Sequence, residues 1–180
     1  MYFIGIITDK NSENNIKSIM KNGLNDNKII FLNRENIDNY KNVRFDSIVI
    51  NNKVDDKYVL NKMMEKSRYV LLNSDFEKDN RYINDCYNLI SYGFNSKANV
   101  TISSVGDDEF ILYIQGVASN DDMQEIKFKR GKTNINVYDG MITTIINLLY
   151  NKWKSWKKCV ISKNIQKNNF LCRQNQKNIV

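Results

Sequence analysis

Apolar residues in this chain fall into short runs, separated by polar stretches long enough for a helix. Tyr2–Thr8 contains YFIGII, and the polar residues after it lead into a pattern with Ile16, Ile19, Met20 and Leu24 at helix spacing. Gly23 stands near the end of that pattern, where a left-handed residue is often needed. Lys28–Leu32 (KIIFL) predicts a second buried strand, Asn36–Val43 a short helix and Asp46–Asn51 (DSIVIN) a third strand. Asp55–Ser67 predicts a helix with Val59, Leu60, Met63 and Met64 on one face. Tyr69–Asn73, Asp79–Tyr87 and Leu89–Tyr92 then predict strand, short helix and strand. Alternation of this kind indicates a parallel sheet covered by helices, and the continuous apolar runs agree, because parallel strands are buried on both faces.

After Gly93 the period changes. Asn99–Ser104, Glu109–Gln115 and Gln124–Lys129 alternate apolar and polar residues between turn-like SVGDD and GVASNDD, as expected of an antiparallel meander with one wet face. Val137–Tyr150 predicts a final helix carrying Met141, Ile142, Ile145, Ile146, Leu148 and Leu149. The expected fold is therefore α/β and doubly wound. It has a mostly parallel sheet with helices on both faces, followed by antiparallel strands and a C-terminal helix.

Charge divides the chain. Of 27 basic residues, 8 lie in residues 151–180 with no acid, which leaves 19 against 20 acids in residues 1–150. The expected division is an α/β domain over 1–150 and a basic extension over 151–180. The near-neutral body argues against a nucleic-acid-binding fold. The extension interleaves Lys152, Lys154, Lys157 and Lys158 with Trp153 and Trp156, a pattern suited to weak polyanion contact or to a solvated terminus. No run approaches the ~18 apolar residues of a membrane span. Cys86, Cys159 and Cys172 have no metal-ligand spacing and suggest a reducing cytoplasm. The chain has no histidine, so imidazole general bases and His-based metal sites are excluded.

Paired acids at Asp55/Asp56, Asp107/Asp108 and Asp121/Asp122 are candidate acid–base or metal groups. The last two pairs fall in predicted hairpin loops, where Asp is ordinary turn chemistry. Asp55/Asp56 follows a parallel strand, at the edge where α/β sheets bind ligands.

Residues 71–105, LLNSDFEKDNRYINDCYNLISYGFNSKANVTISSV, carry a further signal. Asn73-Ser74-Asp75 ends one strand, Ser91-Tyr92-Gly93-Phe94 ends the next, and Asn136-Val137-Tyr138-Asp139-Gly140 opens the last helix. With Asn51 and Asp55 at the third strand end, this order resembles the central, ATP-binding domain of the Mur ligases, the ATP-dependent amino-acid ligases of bacterial cell-wall synthesis. The resemblance covers roughly residues 3–150, and neither flanking domain of that family is represented. It implies a nucleotide site with Asn73 and Asp75 near the adenine and ribose, and Asn51 and Asp55 near metal and phosphate. Read on their own, Asn73 and Asp75 are equally satisfied turn residues, Gly93 a turn glycine and Asn136 a helix cap.

The family's phosphate loop, Gly-Thr-Asn-Gly-Lys-Thr/Ser, aligns with Thr8–Glu13. Thr8 and Asn11 replace the glycines, Ser12 the lysine and Glu13 the magnesium-binding hydroxyl. Asp56 replaces a histidine, Phe76 a second Asp, and Asn33 aligns loosely with a magnesium-ligating Glu. The resemblance therefore implies the scaffold without ATP-driven ligation, leaving a binding or regulatory module linked to cell-wall metabolism. The alternative is a small nucleotide- or UDP-sugar-binding enzyme with a site rebuilt around Lys10. Candidate ligand contacts are Lys10, Ser12, Asn51, Asp55, Asn73 and Asp75. No cofactor is expected, ATP with magnesium being the one the resemblance would bring. The partner is expected to be an unidentified protein or small molecule.

Overall fold

A computed structural model describes residues 3–20, 29–76, 88–117, 124–129 and 135–150. The helix expected at Asp79–Tyr87, the turns at Gly23 and Asp121/Asp122, all three cysteines and the basic extension lie outside the described residues. The elements run β1 (Ile4–Ile7), α1 (Lys10–Met20), β2 (Ile29–Leu32), a short 3-10 helix (Ile37–Tyr40), β3 (Ser47–Ile50), α2 (Lys57–Lys66) and β4 (Tyr69–Asn73). They continue with β5 (Leu89–Tyr92), β6 (Val100–Val105), β7 (Glu109–Ile114), β8 (Gln124–Lys129) and α3 (Val137–Leu149).

All eight strands form one sheet in the order β2-β1-β3-β4-β5-β6-β7-β8. Pairings from β2 through β6 are parallel, and β6-β7 and β7-β8 are antiparallel. The α/β class, the mostly parallel sheet and its antiparallel finish thus follow the apolar pattern. Asn36–Val43 yields a 3-10 helix of four residues instead of an α-helix. The helix predicted from Asp55 starts at Lys57, because Asp56 turns extended and caps it.

Successive strand residues point to opposite faces, and each central strand supplies both. Val49 and Leu71 pack with Ile16 and Met20 of α1 and with Met141, Ile142, Ile145 and Ile146 of α3. Ile48, Ile50, Val70 and Leu72 pack with Val59, Met63 and Met64 of α2 on the other side. Burying such a side chain contributes roughly 1.5–3 kcal/mol, so these two layers dominate the stability. In the meander, Phe110, Leu112 and Ile114 of β7 point inward while their neighbours are partly exposed. Phe110 stacks on Phe128 of β8 at 5.1 Å. Gly140 lets α3 approach that pair, since a Cβ there would stand 2.8 Å from the Phe110 ring. Tyr150, after α3, places its hydroxyl 2.7 Å from Ser47 Oγ.

Candidate functional site

The chain leaves β1 for β2 on one side and then crosses to β3 on the other, so the topological switch lies between β1 and β3. Crevices at such points, outside the carboxyl ends of the strands, are where open α/β sheets take ligands. A cleft of about 560 Å³ lies there, with Ile7, Leu32 and Ile37 on its apolar side. Its polar lining includes Asp9, Lys10, Glu13, Asn33, Arg34, Asp38, Lys53, Asp55 and Asp56.

Two helices begin at this cleft, and both carry their own anion. The Asp9 carboxylate accepts the backbone N–H groups of Asn11 at 2.8 Å and Ser12 at 2.9 Å, so Thr8–Glu13 is a capped helix start and not a phosphate-wrapping loop. On α2, Asp56 Oδ1 accepts from Tyr58 N at 2.9 Å and Val59 N at 3.1 Å. A helix terminus binds an external anion through such unsatisfied donors and its positive dipole end; here aspartates take both. Replacing Asp9 with alanine is expected to cost about 1 kcal/mol, measured by urea unfolding, because two α1 donors lose their acceptor.

Cations in the cleft are largely engaged. Lys10 Nζ, on a side chain 77% exposed, pairs with Glu13 at 3.0 Å. Lys17 also pairs with Glu13 and, with Lys10, holds that carboxyl below its ordinary range despite partial burial. Arg34 reaches Asp55 at 3.6 Å, between two well-exposed side chains. Asn33 Oδ1 accepts from Glu35 N and Asn36 N, so it caps its own turn where the resemblance would put a magnesium ligand. Among the described residues, no group of three or more acids or cysteines is placed to hold a metal ion. At the positions that the resemblance would assign to phosphate and metal, the described residues form caps and ion pairs.

The six sequence-derived site residues separate into four places. Lys10 and Asp55 share the cleft. Ser12 is buried in α1 and faces Asp139 of α3. Asn51 and Asn73 are 6% and 1% exposed and form a network beneath the strand ends. Asn51 Nδ2 donates to Thr8 Oγ1 at 3.1 Å, and Asn51 Oδ1 accepts from Asn73 Nδ2 at 3.3 Å and Tyr92 Oη at 3.1 Å. Asn73 Oδ1 accepts from Asp75 N at 3.0 Å. Both asparagines thus direct their amides inward and tie β1, β3, β4 and β5 together.

Asp75 lies apart from the cleft. Its Oδ2 accepts from Phe94 N at 2.8 Å and from the Tyr138 hydroxyl at 3.1 Å. Burial, then this carboxylate, pushes the Tyr138 phenol up to about 12. Phe76 and Phe94, both exposed, each bring a ring centroid to 5.5 Å from that of Tyr138. The cleft also takes in Arg34, Asp38 and Lys53, which are not among those six residues. Their signal is their position within six residues of a parallel strand's carboxyl end. No protein-family model matches the chain, and a search of curated proteins finds no relative.

Proposed function

We propose that this chain is a doubly wound domain of Mur-ligase central type that has lost ATP-dependent ligation. In this reading it serves as a binding or regulatory module whose ligand enters the strand-end cleft. The observation that carries the reading is the Asp9 cap: a carboxylate of the chain occupies the donors that a phosphate loop would present. Strand order, the strand-end residues Asn51, Asn73 and Gly93, and the helix cap Asn136 support the ancestry. A tie to cell-wall metabolism comes with that ancestry.

Cleft electrostatics point to the ligand's charge. Asp9, Glu13, Asp38, Asp55 and Asp56 face Lys10, Arg34 and Lys53, an excess of two acids. Two of those three cations are already paired with cleft carboxylates. A polyphosphate would meet repulsion, whereas an amine with an apolar portion would find carboxylates beside Ile7, Leu32 and Ile37. An enzyme rebuilt around Lys10 would require that lysine to leave Glu13. Polyanion binding by the basic extension rests on sequence alone.

Thermal-shift measurements on the full chain test this. A ligand at a hundred times its dissociation constant adds about 2.7 kcal/mol, which is a shift of several degrees. Spermidine or agmatine should raise Tm, and Asp38→Asn with Asp55→Asn should abolish the rise. MgATP and UDP-sugars should leave Tm unchanged. A several-degree rise with MgATP that disappears in Lys10→Ala would overturn the reading.

A further inference from the structure

Helix α3 carries one acid, Asp139, and it is 0% exposed. Its side chain points across the α1–α3 interface, where Oδ2 accepts from Asn15 Nδ2 at 2.9 Å. Among the described residues, Oδ1 has no hydrogen-bond partner of acceptable geometry. Around it, α1 presents the Ser12 hydroxyl and, at its cap, the Asp9 carboxylate, which repels. The sheet presents the buried Tyr92 phenol of β5, and α3 itself places Tyr138 close to that phenol. Among the described residues, no cation is among the groups acting on Asp139.

A buried carboxylate with only neutral donors, and no counter-ion among the described residues, is expensive, whereas a carboxylic acid in the same place is not. The Ser12 hydroxyl, which as a donor favours the ionised carboxyl, can rotate to accept from the protonated acid. We propose that Asp139 is a buried proton switch: protonated, it fastens the first turns of α1 to α3, and ionisation loosens that fastening beside Asp9, on the wall of the cleft. The switch does not depend on what the cleft binds.

Burial raises the Asp139 carboxyl from its ordinary range, with Asp9 adding to the effect and Asn15 and Ser12 opposing it. The unfolded chain has the ordinary value, about 3.9. Because the folded value is the higher one, the stabilisation is complete below about 3.9 and is lost as pH rises through the folded value.

The test uses the full chain in two measurements. In the first, Tm is followed from acid to alkaline pH for wild type and Asp139→Asn. The curves should converge at the acid end, with the variant several degrees more stable at alkaline pH. In the second, carboxyl carbon shifts of the wild type are followed by NMR. One buried carboxyl should titrate above the ordinary aspartate range. Parallel Tm curves, or a wild type whose carboxyls all titrate in the ordinary range, would overturn the switch. The NMR titration decides the matter even if the variant does not fold.

Discussion

Replacing Asn51 with alanine is expected to destabilise the domain by roughly 3 kcal/mol, read as a lower urea midpoint at unchanged slope. Asn51 is the hub of a buried network: it donates to Thr8 and accepts from Asn73 and Tyr92. Alanine leaves the Asn73 amide without that acceptor, and each buried orphan costs about 1–3 kcal/mol. The Tyr92 hydroxyl keeps a partial substitute in Ile50 O at 3.1 Å, which keeps the loss from being larger. The cavity left by the amide adds a smaller amount. A residue that faced a ligand from the cleft would behave otherwise, since truncating an exposed side chain changes stability by only about 0.5 kcal/mol. A loss below about 1 kcal/mol would return Asn51 to the list of ligand contacts.

Gly93→Ala is expected to cost about 2–3 kcal/mol, for two separate reasons. Gly93 holds φ at +150°, a conformation that side-chain-bearing residues rarely adopt. A Cβ there would also lie 2.6 Å from Ser74 Oγ and 2.7 Å from Asp75 Oδ2. Asp75 must then move, releasing Phe94 N and the Tyr138 hydroxyl together. The variant should show both a lower urea midpoint and a Tyr138 phenol that titrates closer to 10, followed by ultraviolet absorbance. If stability falls while the phenol stays near 12, the Asp75 clamp survives and the account of Gly93 is wrong.

The scaffold was readable in the sequence because its strands announce themselves twice. Tyr69–Asn73, Leu89–Tyr92 and Gln124–Lys129 have the expected bounds, each an apolar or alternating run closed by turn or polar residues. The candidate site was less readable. Asn51, Asn73 and Asp75 follow or end strands as ligand contacts do, but a one-dimensional pattern does not say which way a side chain turns. The fully buried Tyr92 and Asn73 draw the Asn51 amide inward, and that packing is long-range. Asp9 carried a usable signal: an Asp two and three residues before exposed helix donors is a cap before it is anything else. Asp139 carried one too, as a lone carboxyl in a helix otherwise rich in Ile, Leu, Met and Thr.

Calorimetric titration of MgATP into the full chain at about 0.15 M salt, where contacts with the lysines of the extension are screened, tests the central claim most directly. The self-capped α1 and α2 termini predict no saturable binding, and any residual heat should be the same for wild type and Lys10→Ala. Saturable micromolar binding that is lost in Lys10→Ala would show that the cleft holds phosphate, contradicting the account.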